Sequence, residues 1–211
     1  QLLDREDRID VLINNAGYGS YGAIEDVSIS EAKRQFDVNL FGLARMIQLV
    51  LPKMRQQNSG TIINMSSMGG KMWLPLGGWY HASKFAVEGF SDCLRNEVRP
   101  FGIDVVLIEP GTIKSNWADI AADNLVETSS QGPYSEFAEN QAESLRAKYS
   151  DDGMAVEPDV IAEVVLKAVQ ANNPKSRYAA PAHAKLFIFL NWLLPDKLFD
   201  KLVCKMIDFS K

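Results

Sequence analysis

The chain has 211 residues, is 46% hydrophobic and 23% charged, and carries a formal net charge of −5. That size and balance suit one globular unit with a sizeable core, and exclude a disordered chain. No basic patch offsets the acidic total, which argues against nucleic acid as a partner.

The two cysteines, Cys93 and Cys204, have neither metal-ligand spacing nor the density of a disulfide framework. A reducing compartment is therefore the expected setting, and both read as packed helix residues. The first eight residues lack the charged-then-apolar pattern of a secretory leader, which adds to a cytoplasmic expectation.

In chain order, residues 9–14 form an apolar run that reads as a buried parallel strand ending in Asn14-Asn15-Ala16-Gly17. A loop over 18–22 follows. Ser28 and Ser30 are N-cap candidates for a long helix over about 31–57, which Pro52 should perturb near its end. Asn58-Ser59-Gly60 stops that helix, and residues 61–65 read as a strand ending in Ser66-Ser67. A loop rich in glycine leads to a helix over about 78–99. It carries Tyr80 and Lys84, with small residues at Ala82, Ser83, Ala86 and Gly89. Pro100-Phe101-Gly102 ends it, and 104–108 is the next strand.

Residues 116–157 are a long segment with turn signals at Gln131-Gly132-Pro133 and Asp151-Asp152-Gly153. Trp117, Tyr134, Phe137 and Leu145 are scattered along it as apolar points. Pro158 opens a helix with an apolar stripe at Val160, Val164, Val165 and Ala168. Arg177-Tyr178-Ala179-Ala180-Pro181 reads as the last strand. The apolar run at 186–194 is broken by Asn191 and is too short for a membrane span of about 20 residues. Core packing is its default reading; the neighbouring Lys185 and Lys197 leave peripheral membrane contact or a subunit surface open. Strands alternating with helices predict an α/β fold with a parallel sheet.

The chemistry concentrates at Tyr80 and Lys84. Residues four apart share a helix face, so the phenol and the ammonium point the same way. A free phenol has a pKa of about 10, and a nearby cation favours its ionised form. The pair can therefore serve as a proton donor and acceptor at neutral pH. Asn39 lies inside a helix, where asparagine is a poor choice, so its amide should have a partner. The only histidines, His81 and His183, read as structural or surface residues, and no metal cluster is visible.

Asn14-Asn15-Ala16-Gly17, Asn39, Ser66-Ser67, Tyr80-His81-Ala82-Ser83-Lys84 and Glu109-Pro110-Gly111-Thr112-Ile113-Lys114-Ser115 occur in an order that resembles the classical short-chain dehydrogenase/reductase family. The resemblance covers about residues 8–181. It implies a Rossmann-like, doubly wound parallel sheet of order 3-2-1-4-5-6-7 and an NAD- or NADP-dependent oxidoreductase acting on a small-molecule alcohol or carbonyl substrate.

By the same resemblance Tyr80 is the general acid or base, and Lys84 tunes it and binds the cofactor ribose. Thirteen positions separate Ser67 from Tyr80, the family's interval, so Ser67 rather than Ser66 would hold the substrate oxygen. Asn39 would hold a water linking Lys84 to solvent. Asn14, Ala16 and Gly17 would lie along the cofactor, and Pro110, Gly111, Ile113 and Ser115 would meet the nicotinamide. Ser115 stands where the family often has threonine. Segment 116–157 would be a substrate lid, and homo-oligomers would form through the helices beginning near Glu31 and Gly78.

The family's glycine-rich Thr-Gly-x-x-x-Gly-x-Gly turn is absent. The expectation is a single partial domain over 1–211, without the N-terminal β-α-β-α-β portion, and with strand 9–14 as an open apolar edge. The loop at Met72-Trp73-Leu74-Pro75-Leu76 and the aromatics of 116–157 suggest a hydrophobic substrate. Two alternatives remain at this level. One is a nucleotide-sugar epimerase-type relative, which shares Tyr-x-x-x-Lys; the other is a non-catalytic binding or assembly protein.

Overall fold

The structure, a computed structural model, describes residues 5–150 and 153–207. Four parallel strands, β1 (Val11–Asn14), β2 (Gly60–Met65), β3 (Ile103–Pro110) and β4 (Arg177–Ala180), form one sheet in the order β1-β2-β3-β4. Each pairs in register with the next, Leu12 opposite Ile62 and Ile62 opposite Val105.

Successive side chains of a strand alternate between faces, and the two faces meet different helices. Ile62, Val105 and Leu107 pack against α2 (Leu43–Gln57) and α3 (Gly78–Val98) through Ile47, Val50, Met54, Val87 and Leu94. Ile63, Val106 and Ile108 pack against α6 (Asp159–Gln170) through Ile161 and Ala168. With both faces covered, β2 and β3 are apolar through their middles, at Ile62-Ile63 and Val105–Ile108, as buried parallel strands require. The doubly wound α/β class is therefore present, in the strand order that the family resemblance implies for this part of the sheet.

The long helix expected over 31–57 is interrupted. Ser28 caps α1 (Ile29–Phe36) by accepting the Glu31 N–H at 3.2 Å. A π-helical turn, Asp37–Gly42, then carries the chain into α2. The wide turn coincides with Asn39, whose amide bonds tertiary partners; single π turns are frequent where a helix carries a functional side chain. Pro52 does not shorten α2, which runs to Gln57 and stops at Asn58 in the left-handed conformation (φ 51°). Pro52 lies on the exposed side of the helix, so water can serve the carbonyl it leaves unpaired.

Segment 116–157 is a helical hairpin. Helices α4 (Trp117–Ser129) and α5 (Ser135–Tyr149) flank the predicted turn at Gln131-Gly132-Pro133. Leu125, Ala138, Ala142 and Leu145 hold the hairpin together and seat it on Tyr21, Leu76 and Tyr80. Of the second predicted turn, Asp151 and Asp152 lie outside the described residues.

Beyond β4 come α7 (Ala182–Leu193) and α8 (Asp196–Met206). The run at 186–194 is not core throughout. Phe187, Leu190 and Leu194 pack on Met72, Phe199 and Val203, while Leu186, Phe189, Trp192 and Leu193 are exposed. Cys93 is likewise exposed rather than packed, on the outer face of α3.

Among the described residues β1 pairs on one side only, and Ile13 is 47% exposed. An unpaired apolar edge is a template for association. The 211-residue chain is expected to self-associate in light scattering and the Ile13→Lys variant markedly less; a monodisperse parent chain would contradict this.

Candidate active site

The site lies at the carboxyl ends of the strands, where ligands bind in open α/β sheets. As β2 ends, Ser66 donates its backbone N–H to the Ile108 carbonyl at 2.8 Å. The chain then turns sharply through Met68–Gly70. Ser67 caps that turn, its Oγ accepting the Gly69 N–H at 3.0 Å, and its hydroxyl lies near enough to the Tyr80 phenol to lower that phenol's pKa. Ser66 Oγ is buried without a hydrogen-bond partner, so Ser67 is the hydroxyl that meets the tyrosine.

Tyr80 sits in the first turn of α3, buried, with Lys84 one turn further on and 6% exposed. The ammonium donates to the Met65 carbonyl at 3.0 Å. Burial pulls the Lys84 pKa down to about 8, against the opposing charge of Glu88. The phenol does not follow the direction expected from a neighbouring cation. Burial raises its pKa, and the Ser67 hydroxyl is the group that draws it back. Desolvation sets the direction because the buried phenolate would lose hydrating water.

Asn39 is buried, with every amide bond satisfied. Its Oδ1 accepts the Tyr18 N–H at 3.0 Å, and its Nδ2 donates to the Tyr18 carbonyl at 2.9 Å and to Ser83 Oγ at 3.0 Å. The backbone of Gly17 passes between this amide and Lys84. A Cβ there would lie 3.2 Å from Asn39 Oδ1 and 3.4 Å from Lys84 Nζ.

Of the residues singled out in the sequence, Gly17, Ser67, Tyr80, Lys84, Pro110, Gly111, Ile113 and Ser115 border one cavity of about 940 Å³. Asn14, Ala16 and Asn39 do not border it. The Asn14 amide turns under the strand ends and donates to Asn64 Oδ1 at 2.8 Å, and Asn64 in turn donates to Ser91 Oγ at 2.9 Å. Its neighbour Asn15 faces the cavity instead.

Comparison with known proteins agrees with this arrangement. The family description "short chain dehydrogenase" matches residues 1–125. A 3-ketodihydrosphingosine reductase of Bacteroides thetaiotaomicron is 38% identical over 201 residues, covering 95% of this chain and 73% of that protein. This chain belongs to the classical short-chain dehydrogenase/reductase family. A short-chain dehydrogenase from Streptomyces avermitilis superposes with a TM-score of 0.74 at 27% identity, covering 99% of this chain and 72% of that one. A serine dehydrogenase complexed with NADP+ superposes with a TM-score of 0.69 at 25% identity, covering 83% and 66%.

Three residues that the sequence reading took as an apolar point and as structural or surface histidines also line the cavity. Trp117, at the start of the hairpin, lies 5.4 Å from the Tyr80 ring, edge-on to Tyr21 at 5.6 Å and stacked on Tyr149 at 6.0 Å between centroids. A Cβ on Gly19 would come within 2.6 Å of its indole, so the glycine makes room for it. Only the aromatic character of the segment hinted at this in the sequence. His81 clamps the loop before α3. Its Nε2 accepts the Leu74 N–H at 3.0 Å, which assigns the proton to Nδ1 and lets it donate to the Gly69 carbonyl at 2.9 Å. His183 accepts the Thr112 N–H at 2.9 Å and packs directly on Gly111. Both histidines are thus structural and belong to the walls of the site.

Beneath the site a charged network joins α3 to the sheet. Glu88 pairs with Lys71 at 2.9 Å and with Arg177 at 3.0 Å, and Arg177 also meets Asp92 at 2.7 Å and Glu109 at 3.3 Å. Burial, together with the charge of Glu88, raises the Glu109 pKa to about 7. Without Arg177, Glu88 keeps Lys71 and Asp92 keeps Arg95, but the buried Glu109 loses its cation, a loss of about 1–3 kcal/mol. Arg177→Ala should lower the denaturation midpoint accordingly, and an unchanged midpoint would contradict this assignment. Because the Glu109 pKa is raised, its deprotonation above neutrality should deepen the loss.

Proposed function

We propose that this protein is an NAD(P)-dependent oxidoreductase interconverting an alcohol and a ketone or aldehyde, acting on apolar substrates. The observation that carries this reading is the meeting of Ser67, Tyr80 and Lys84 on the wall of one strand-end cavity, with Lys84 one helical turn from the phenol. The side chains bordering that cavity beyond Tyr80 (Met72, Leu74, Trp117, Leu145) favour an apolar body. The similarity to a protein named as a 3-ketodihydrosphingosine reductase supports a long-chain carbonyl compound.

The residues present fit the nicotinamide end of a dinucleotide: Gly17, Lys84 and the turn after β3 border the strand-end cavity beside Tyr80. Gly17, Tyr80, Lys84 and the stretch Pro110, Gly111, Ile113, Ser115 would hold the cofactor, with Asn14 and Ala16 bracing the strand end behind it. Kinship to a serine dehydrogenase complexed with NADP+ supports the same group. When bound, the nicotinamide supplies or accepts the hydride.

The chain's own part is proton movement and positioning. In reduction Tyr80 gives its phenolic proton to the substrate oxygen as the carbon gains the hydride, while the Ser67 hydroxyl holds that oxygen. The nearby Lys84 ammonium stabilises the phenolate left behind. Asn39 fixes Tyr18 and the strand-end loop, a positioning role in place of the water-holding one, since its amide is already engaged by Tyr18 and Ser83. In oxidation the same groups run in reverse. Exposed Phe41, Met46, Leu49 and Phe85, beside Ala82 and Gly89, support a subunit contact through α2 and α3. The free thiols of Cys93 and Cys204 suit a reducing, cytoplasmic setting.

Consumption of NADH or NADPH with an aliphatic ketone such as dodecan-2-one tests the reaction. Net consumption also separates this reading from an epimerase, which returns its hydride. Tyr80→Phe should lower kcat by about 10²–10⁴-fold and Ser67→Ala by about 10²-fold. A Tyr80→Phe variant with unaltered turnover would overturn the assignment.

The pH profile is a second test. Lys84 is protonated below its pKa of about 8. The rate of reduction should therefore hold up to that pH and fall above it, as the cation that supports the phenolate is lost. A profile rising through pH 8 would contradict this role for Lys84.

A further inference from the structure

The exposed residues of α7 fall on one side of the helix. Ala182, Lys185, Leu186, Phe189, Trp192 and Leu193 recur at intervals of three and four. Trp192 is 77% exposed, and its ring lies 5.8 Å from that of Phe189. A large apolar side chain in water is ordinary when isolated; four on one helical stripe mark a surface that meets something.

The opposite side of α7 and one side of α8 are anchored on the body of the protein. Asn191 donates to the Lys71 carbonyl at 2.7 Å, and Trp73 packs on Phe199 at 5.4 Å while donating to Asp200 at 2.9 Å. The outward stripe therefore has no room to fold back into the core.

Charge indicates what covers it. The chain as a whole has an excess of acid, 27 acidic residues against 22 basic. Helices α7 and α8 reverse that balance, with Lys185, Lys197, Lys201 and Lys205 against Asp196 and Asp200, and Asp200 is already engaged by Trp73. Lys197, Lys201 and Lys205 are four apart, all exposed, and form a basic stripe beside the exposed Leu198. Tryptophan and phenylalanine next to lysines are the side chains favoured at a lipid–water boundary. A symmetric contact with a second copy would instead bring this basic stripe near its own image. At 12 residues, or about 18 Å, α7 is too short to cross a bilayer and long enough to lie in its surface.

We propose that α7 and α8 dock this protein on an anionic lipid bilayer, with Leu186, Phe189, Trp192 and Leu193 entering the interface and the lysines meeting lipid phosphates. Phe187 and Met206, on the same two helices, border the active-site cavity. Docking therefore brings the two helices that border the cavity to the lipid surface from which an apolar substrate would come. The binding itself is independent of the reaction assigned above and is tested without turnover.

The test is flotation of the purified chain with phosphatidylcholine vesicles, with and without about 30% phosphatidylglycerol, a content that gives a strongly anionic surface. Flotation separates vesicle-bound protein from sedimenting aggregate. Binding is expected with the anionic vesicles, weakening at high salt. The Lys197→Gln/Lys201→Gln/Lys205→Gln variant should bind about a hundredfold more weakly, and Phe189→Asp/Trp192→Asp should not float at all. Both variants change exposed side chains alone, so their fold should be retained. The proposal fails if the parent chain does not float, or if both variants float as it does. It also fails if, without lipid, the parent forms a dimer that Phe189→Asp/Trp192→Asp dissociates, because a second copy then covers this face.

Discussion

A lysine ammonium enclosed by protein is the constraint around which this molecule is organised. Lys84 is taken out of water and compensated by the Met65 carbonyl, with the Glu88 carboxylate further along the helix. Desolvation of an ammonium is costly unless it is bonded and paired. Helix α3 must therefore sit at one height against β2, since sliding it would strand the charge. The same placement brings the Tyr80 phenol to the Ser67 hydroxyl.

Much of the remaining structure maintains that placement. Strands β2 and β3 are sandwiched between two apolar layers, which fixes the ends from which Met65, Ser67 and Pro110 emerge. The Glu88–Arg177–Asp92 pairs tie α3 to β4 across the sheet, and His81 ties its first turn to the loop after β2. Asn39 and His183 hold the two neighbouring loops at Tyr18 and Thr112. In each case a buried polar side chain satisfies backbone groups that a loop cannot satisfy by itself, since unbonded they would cost free energy on burial.

The α4–α5 hairpin acts differently. It contributes no strand and lays Trp117 against Tyr21, Tyr80 and Tyr149. Water is thereby excluded from the phenol on one side. This is the setting in which a hydroxyl such as that of Ser67 gains most over its strength in water. The exposed stripe of α7 lies outside this closed system and answers to a different requirement, contact with a surface rather than support of the core.

The sequence by itself determined the layered parallel sheet and the shared helix face of Tyr80 and Lys84. Apolar runs of strand length, their Gly and Pro boundaries and a fixed helical interval between Tyr80 and Lys84 are local properties, readable without knowing what packs where. Tertiary structure decided what depends on residues distant in the chain. The π turn at Asn39 exists because its amide is claimed by Tyr18 and by Ser83 on another helix. Asn14 turns away from the cavity because Asn64 lies beneath it, leaving that position to Asn15. The phenol's pKa rises rather than falls because burial depends on Trp117 and the hairpin, more than thirty positions away in the chain. The run at 186–194 is half exposed because hydrophobicity along a chain does not say which side of a helix finds a neighbour. Periodicity is local and survives in the sequence; desolvation and partnership belong to the packed molecule and emerge only there.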